Sequence, residues 1–309
     1  MTLKGRDFLS ISDLSGDEIR LLVKETGRMK SKQREGGLEK VLEDHVIGLL
    51  FEKPSTRTRV SFQVAINHLG GNAVYMRPGE LHLSRGEAIK DTARILSSYL
   101  DGIVVRTYSQ RILEELAEYS DVPVINALSD LEHPTQIISD LYSMLEAKKK
   151  IDGLRLAWIG DGNNVCHSLL LACGKLGLDL NVSCPEGYDP KEEILTEAKS
   201  YASESGAEIK IVREPKEAIR DVDVIYTDTW VSIGQEEEYA VREKAFRNYQ
   251  INRELLSQAR DDVIVMHCLP AYRGKEITED VLEGDKSIVW EQSRNKLYGA
   301  KAILASFIP

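Results

Sequence analysis

The chain has 309 residues, 42% of them hydrophobic, and a formal net charge of −10. That length allows about two domains whose cores need no metal or disulfide support. The acidic balance argues against general binding to nucleic acid or an anionic membrane, though it permits a locally basic site for an anionic substrate.

The N-terminal stretch MTLKGRDFLSISDLSG holds no apolar run of signal-peptide type. Ser15 and Glu18 then form a capping box ahead of Ile19, Leu22, Val23 and Met29 at helical spacing. Residues 46–51 (VIGLLF) read as a buried strand. Phe62, Ala65, Ile66 and Leu69 share one helical face, with Gly70 as its C-terminal stop. Ile89, Ala93, Leu96 and Leu100 mark another helix, which runs into a strand at 102–106 (GIVVR). A helix beginning near Ile112 leads to a strand at 122–127. Pro134 opens a helix carrying Ile137, Ile138, Leu141, Met144 and Leu145. The basic stretch 148–153 (KKKIDG) reads as a boundary. Beyond it, strands are predicted at 155–160 (RLAWIG), 180–185 (LNVSCP), 207–212 (AEIKIV), 222–228 (VDVIYTD) and 263–270 (VIVMHCLP). Helices are predicted between them, one at 165–176, with a last one near 294–307. Cys166, Cys173, Cys184 and Cys268 form no C-x-x-C pair, so reduced thiols in the cytoplasm are expected. No stretch approaches the ~18 apolar residues of a membrane span.

Strands alternating with helices imply an α/β fold of two domains, each a mostly parallel sheet flanked by helices. The expected division is residues 1–149, with a C-terminal helix at 292–309 packing back on them, and residues 150–291, joined by inter-domain helices. In such open sheets ligands bind beyond the carboxyl ends of the strands, and the chain's unusual residues fall there.

Ser55, Thr56, Arg57, Thr58 and Arg59 follow a strand and open a helix. Unpaired helix N–H groups, hydroxyls and a guanidinium suit a phosphate, although a capped helix with solvated arginines reads equally well. His133, Pro134, Thr135 and Gln136 open the next candidate helix. A neutral histidine can donate to a polarised carbonyl oxygen and a glutamine can hold an amide, or His133 is simply a structural cap. Arg106 ends the GIVVR strand. Asp228 leads into Thr229, Trp230, Val231, Ser232, Ile233 and Gly234, where a carboxylate followed by a polar loop suits a zwitterionic amino acid. His267 and Cys268 are adjacent on a predicted strand and should face opposite ways, which argues against a thiolate–imidazole dyad. Gly160 and Gly162 suggest a dinucleotide loop, but Val165 occupies the place of the third glycine. The histidine and cysteine positions show no zinc spacing, so neither metal nor cofactor is expected.

Taken in this order along one chain, these motifs resemble those of the aspartate/ornithine carbamoyltransferase family, and within it the ornithine branch. STRTR (55–59), Arg106, HPTQ (133–136), HCLP (267–270) and DTWVSIGQE (228–236) carry the likeness. It extends through GEAIKDTARIL (86–96) and KLYGAKAIL (296–304). The resemblance implies a carbamoyl phosphate-binding first domain and an ornithine-binding second domain. It implies that Ser55, Thr56, Arg57, Thr58 and Arg106 bind phosphate, and that Thr58, Arg106 and His133 reach the carbonyl oxygen. Gln136, Cys268 and the Leu269 backbone would hold the carbamoyl nitrogen, and Asn164, Asp228, Ser232 and Ile233 would hold ornithine. Arg57, Arg106, His133 and Cys268 are the implied catalytic set. Three positions depart from the family's pattern. Ile233 replaces a methionine, His82 stands for a glutamine that reaches carbamoyl phosphate from a neighbouring subunit, and Lys296 stands for an arginine, with Arg294 two residues earlier. A homotrimer, or a multiple of trimers, is implied. Competing expectations are another acceptor (aspartate, putrescine or an acylated ornithine), a nicotinamide-dependent oxidoreductase built on the Gly160 loop, and a non-catalytic paralogue.

Overall fold

The computed structural model describes residues 2–77, 79, 86–231 and 236–309. The chain divides into two compact units, Met1–Tyr142 with Arg294–Pro309, and Ser143–Ser293.

In the first unit the strands are β1 (Val46–Phe51), β2 (Asn72–Met76), β3 (Gly102–Arg106) and β4 (Val124–Leu128). The helices are α1 (Gly16–Arg34), α2 (Thr56–His68), α3 (Ile89–Ser97), α4 (Gln110–Glu118) and α5 (Pro134–Lys148), the last continuing into the second unit. Helix α1 starts where its capping box predicts. Ser15 Oγ accepts the Glu18 N–H at 3.2 Å, and a Glu18 carboxylate oxygen accepts the Ser15 N–H at 2.8 Å. All the pairings are parallel, in the order β2-β1-β3-β4. β3 and β4 are buried throughout, which is why they read as unbroken apolar runs. β2 is a strand that the sequence reading does not contain. It lies at the edge and is only partly buried, with only the short apolar run AVYM to mark it. Leu50, Ile103, Val105, Leu113, Leu116 and Val124 share one core cluster. From β1 the chain goes outward to β2, then returns to β3 on the other side. The switch point therefore lies between the carboxyl ends of β1 and β3, where Phe51 pairs with Arg106.

In the second unit the strands are β5 (Arg155–Ile159), β6 (Asp179–Ser183), β7 (Ile209–Ile211), β8 (Val224–Thr227) and β9 (Ile264–His267). The helices are α6 (Asn164–Leu176), α7 (Glu192–Ser205), α8 (Pro215–Ala218), α9 (Tyr239–Phe246), α10 (Arg253–Leu256) and α11 (Glu279–Leu282). Helix α12 (Val289–Phe307) begins here and continues into the first unit. This sheet is also parallel, in the order β7-β6-β5-β8-β9, so its switch point lies between β5 and β8. Its core gathers Ala157, Ile159, Ile225, Phe246, Val265 and Val289. Within the first unit, Gly299 of α12 meets Ser139 of α5 so closely that a Cβ there would lie 2.1 Å from the serine Oγ. Only glycine lets the two helices approach far enough for Lys296 to reach Gln136. Among the described residues no helix is long and apolar enough to cross a membrane.

Candidate active site

At the first switch point Ser55 caps α2, its Oγ accepting the Thr58 N–H at 3.2 Å. That leaves the first amide groups of the helix directed beyond the end of β1. Thr58 is buried, whereas Thr56 is exposed and Arg57 half-buried. Arg106 is buried at the end of β3, and its Nε donates to the Lys53 carbonyl at 3.2 Å. His133 precedes α5 and is 4% exposed, with Thr135 Oγ1 at 3.5 Å from its Nδ1. Burial pushes the imidazole well below its usual range, and the positive charges of Lys296, Arg106 and Lys53 push it further. His133 is therefore neutral at neutral pH and can donate a hydrogen bond without carrying charge. Gln136 is fixed at both ends of its amide: Nε2 donates to Asp140 at 2.8 Å, and Oε1 accepts from Lys296 Nζ. The second lone pair of Oε1 can still accept from a ligand N–H. Beside this group, Ser55, Thr56, Gln63, Tyr75, Arg59 and Arg77 line an open cavity of about 540 Å³.

At the second switch point Asp228 follows β8. One of its oxygens accepts from Asn163 Nδ2 at 2.8 Å and the other from the Cys268 thiol at 3.0 Å. Asn163, to which the sequence assigns no contact of its own within the Gly160–Asn164 loop, also caps α6 through Oδ1, which accepts from the Val165 and Cys166 N–H groups. Asn164 is the first residue of α6 and half-buried. His82, Ser232 and Ile233 lie outside the described residues.

The predicted opposition of His267 and Cys268 needs correction. β9 ends at His267, so strand alternation does not reach Cys268. Donor atoms of Asp228, His267 and Cys268 lie within 4.8 Å of one another. A dyad is still not formed, for a different reason. His267 Nδ1 accepts the Leu269 N–H at 2.8 Å, His267 Nε2 donates to Glu276 at 3.1 Å, and the Cys268 thiol is given to Asp228. The Leu269 bond also holds a left-handed residue (φ 59°) that favours glycine. Among the described residues these three side chains are the group whose atoms could converge on a metal ion. A metal bound through His267 would have to displace either the Leu269 N–H from Nδ1 or the Glu276 carboxylate from Nε2. The reading missed the cluster as a ligand set because Asp228 is far from the pair in sequence.

The glycines after β5 have a structural cause. A Cβ on Gly162 would lie 2.2 Å from Pro190 N, and Gly160 holds φ 139°. They let the loop pass the 189–190 backbone. The four cysteines are free and buried, and burial raises the Cys184 thiol to about 12.

Two further residues beside this cluster have no role that the sequence alone assigns. Asp161 Oδ2 lies 3.1 Å from Arg242 Nη1, with both side chains buried. Burial raises the Asp161 carboxyl to about 6, Arg242 opposing and Asp228 reinforcing the rise. The folded protein thus holds this proton more tightly than the unfolded chain does. Stability should fall as pH rises from about 4 to about 6, by up to about 3 kcal/mol for a shift of this size. Chemical denaturation of wild type and Asp161→Asn across that window should show the slope in wild type alone. Parallel profiles would refute the assignment.

Residues 6–146 match the family model described as the carbamoyl-P binding domain of aspartate/ornithine carbamoyltransferase, and residues 152–307 match its Asp/Orn binding domain. The chain belongs to the aspartate/ornithine carbamoyltransferase family. An ornithine carbamoyltransferase of Caldicellulosiruptor saccharolyticus is 50% identical over 299 residues, covering 97% of each chain. One from Pyrococcus horikoshii is 46% identical over 305 residues, covering 99% of this chain and 96% of the relative. The solved structure of ornithine carbamoyltransferase from Pyrococcus furiosus superposes with a TM-score of 0.97 at 46% identity, covering 100% of this chain and 98% of the other. The carbamoyltransferase fold, two parallel sheets flanked by helices, is thus the one expected from sequence.

Proposed function

We propose that the chain transfers the carbamoyl group of carbamoyl phosphate to the δ-amine of L-ornithine, giving L-citrulline and phosphate. The observation that carries this is near-full-length similarity to ornithine carbamoyltransferases, with a cationic cradle in one matched domain and an acid–thiol cluster in the other. In this reading Ser55, Thr56, Arg57, Thr58 and Arg106 take the phosphate, and a neighbouring subunit adds His82. Thr58, Arg106 and neutral His133 stabilise charge on the carbonyl oxygen. Gln136, Cys268 and Leu269 orient the carbamoyl nitrogen. Asp228 takes the α-ammonium of ornithine, and Asn164, Ser232 and Ile233 complete its contacts.

The neutral δ-amine attacks the carbonyl carbon. The C–O bond to phosphate then breaks, and the proton lost by the nitrogen leaves with the departing phosphate. Positioning and charge stabilisation supply the catalysis, without a covalent enzyme intermediate. A homotrimer in the cytoplasm fits the family likeness and the four free thiols. Citrulline formation from carbamoyl phosphate with ornithine, set against aspartate and putrescine, tests the reading. Failure with ornithine would overturn it.

Lys296 takes the place of the family's arginine and holds the Gln136 amide. Lys296→Met should raise the KM for carbamoyl phosphate about tenfold or more, the scale of one charge-assisted hydrogen bond. Lys296→Arg should keep activity, because it returns a donor to Gln136. Steady-state kinetics with carbamoyl phosphate varied would decide, and an unchanged KM in Lys296→Met would separate Lys296 from the site.

A further inference from the structure

Arg242 is 7% exposed, and its guanidinium meets acceptors on three segments. It donates to Asp161 Oδ2 at 3.1 Å beyond β5, to the Trp230 carbonyl at 3.1 Å beyond β8, and to Glu238 Oε2 at 2.7 Å, just before α9. It also lies over the Tyr188 ring, 5.0 Å from the centroid. A planar fork of five N–H donors can serve such a set, whereas a lysine ammonium cannot match it.

Its charge falls on one side of a pair. Asp161 and Asp228 follow adjacent strands and repel each other. Asp161 meets the guanidinium, whereas Asp228 meets the neutral donors Asn163 and Cys268. We infer that Arg242 is a positioning and specificity-determining residue for the amine acceptor. By pairing with buried Asp161, and with the more exposed Glu238 carboxylate, it leaves Asp228, held by neutral donors, as the carboxylate matched to an amino acid's α-ammonium. By holding the Trp230 carbonyl it fixes the segment that carries Asp228. This rests on the proposed acceptor role of Asp228. Without Arg242 the Asp161 charge would stand uncompensated beside Asp228, repel the acceptor's own carboxylate and favour a diamine.

The test compares kcat/KM for ornithine and putrescine in wild type, Arg242→Gln, Arg242→Lys and Asp161→Asn/Arg242→Gln, with folding checked by circular dichroism. Arg242→Gln should raise the ornithine KM about tenfold or more, leave that for carbamoyl phosphate within about twofold, and raise the putrescine-to-ornithine ratio about tenfold. The double variant removes both charges and should return that ratio to within about threefold of wild type. A merely structural role would leave it as impaired as the single variant, with no change in ratio. Arg242→Lys keeps the charge without the fork, so ornithine KM should rise while the ratio stays put; this arm stands even if Arg242→Gln fails to fold. An unchanged ratio in folded Arg242→Gln, a double variant that does not recover, or a shifted ratio in Arg242→Lys overturns the inference. A wild type inactive on ornithine overturns the proposed function, and this inference with it.

Discussion

Arg57→Ala should lower kcat/KM for carbamoyl phosphate by at least about a hundredfold, the scale of losing one main electrostatic stabiliser. Arg57 lies in the first turn of α2, one residue before buried Thr58 and two after the Ser55 cap. There the helix amides and its positive dipole end already favour an anion. A guanidinium added to them can follow the negative charge that grows on the departing phosphate. The side chain is half-buried and belongs to no core cluster given above, so the variant should keep the wild-type melting profile. Steady-state kinetics beside a thermal melt check both halves of the expectation. A folded Arg57→Ala enzyme with near-normal kcat/KM would remove Arg57 from the phosphate site.

Asp228→Asn should cut kcat/KM for ornithine by about thirtyfold or more while the KM for carbamoyl phosphate stays within about twofold. The change removes a charged hydrogen-bond partner worth roughly 1.5–3 kcal/mol. The amide also fits its neighbours poorly. Asn163 Nδ2 and the Cys268 thiol both donate to Asp228, so an asparagine can satisfy only one of them with its single oxygen. Its own NH2 then faces a donor. Varying each substrate in turn separates the two effects. Equal damage to both substrates would make Asp228 a scaffold residue instead of an acceptor contact.

Much of the architecture was legible because it depends on local pattern. The strands with buried faces declared themselves as apolar runs, and the caps Ser15 and Ser55 and the first-turn proline Pro134 stand at helix starts. β2 did not, because its short AVYM run lies at the sheet edge with alternating exposure, where no buried face sets it apart. The residues beyond the strand ends were legible too, since reactive side chains in short strand-to-helix loops contradict the surrounding core pattern. Strand ends were read too long where a turn cut them. β9 stops at His267, and that truncation is what brings Cys268 round to Asp228.

By itself the sequence determined the α/β class, the alternation of strands and helices apart from β2, and several of the residues that stand at the two switch points. Those properties follow from periodicity and from residue type along a continuous chain. Tertiary structure alone decided which of these residues meet. It turned the Gln136 amide toward Lys296 and Asp140, locked both nitrogens of His267 into backbone and carboxylate partners, and set Arg242 against Asp161. Each of these contacts depends on how separate segments converge at a strand end. A hydrogen bond acts over about 3 Å in space, and spacing along the chain does not encode that distance.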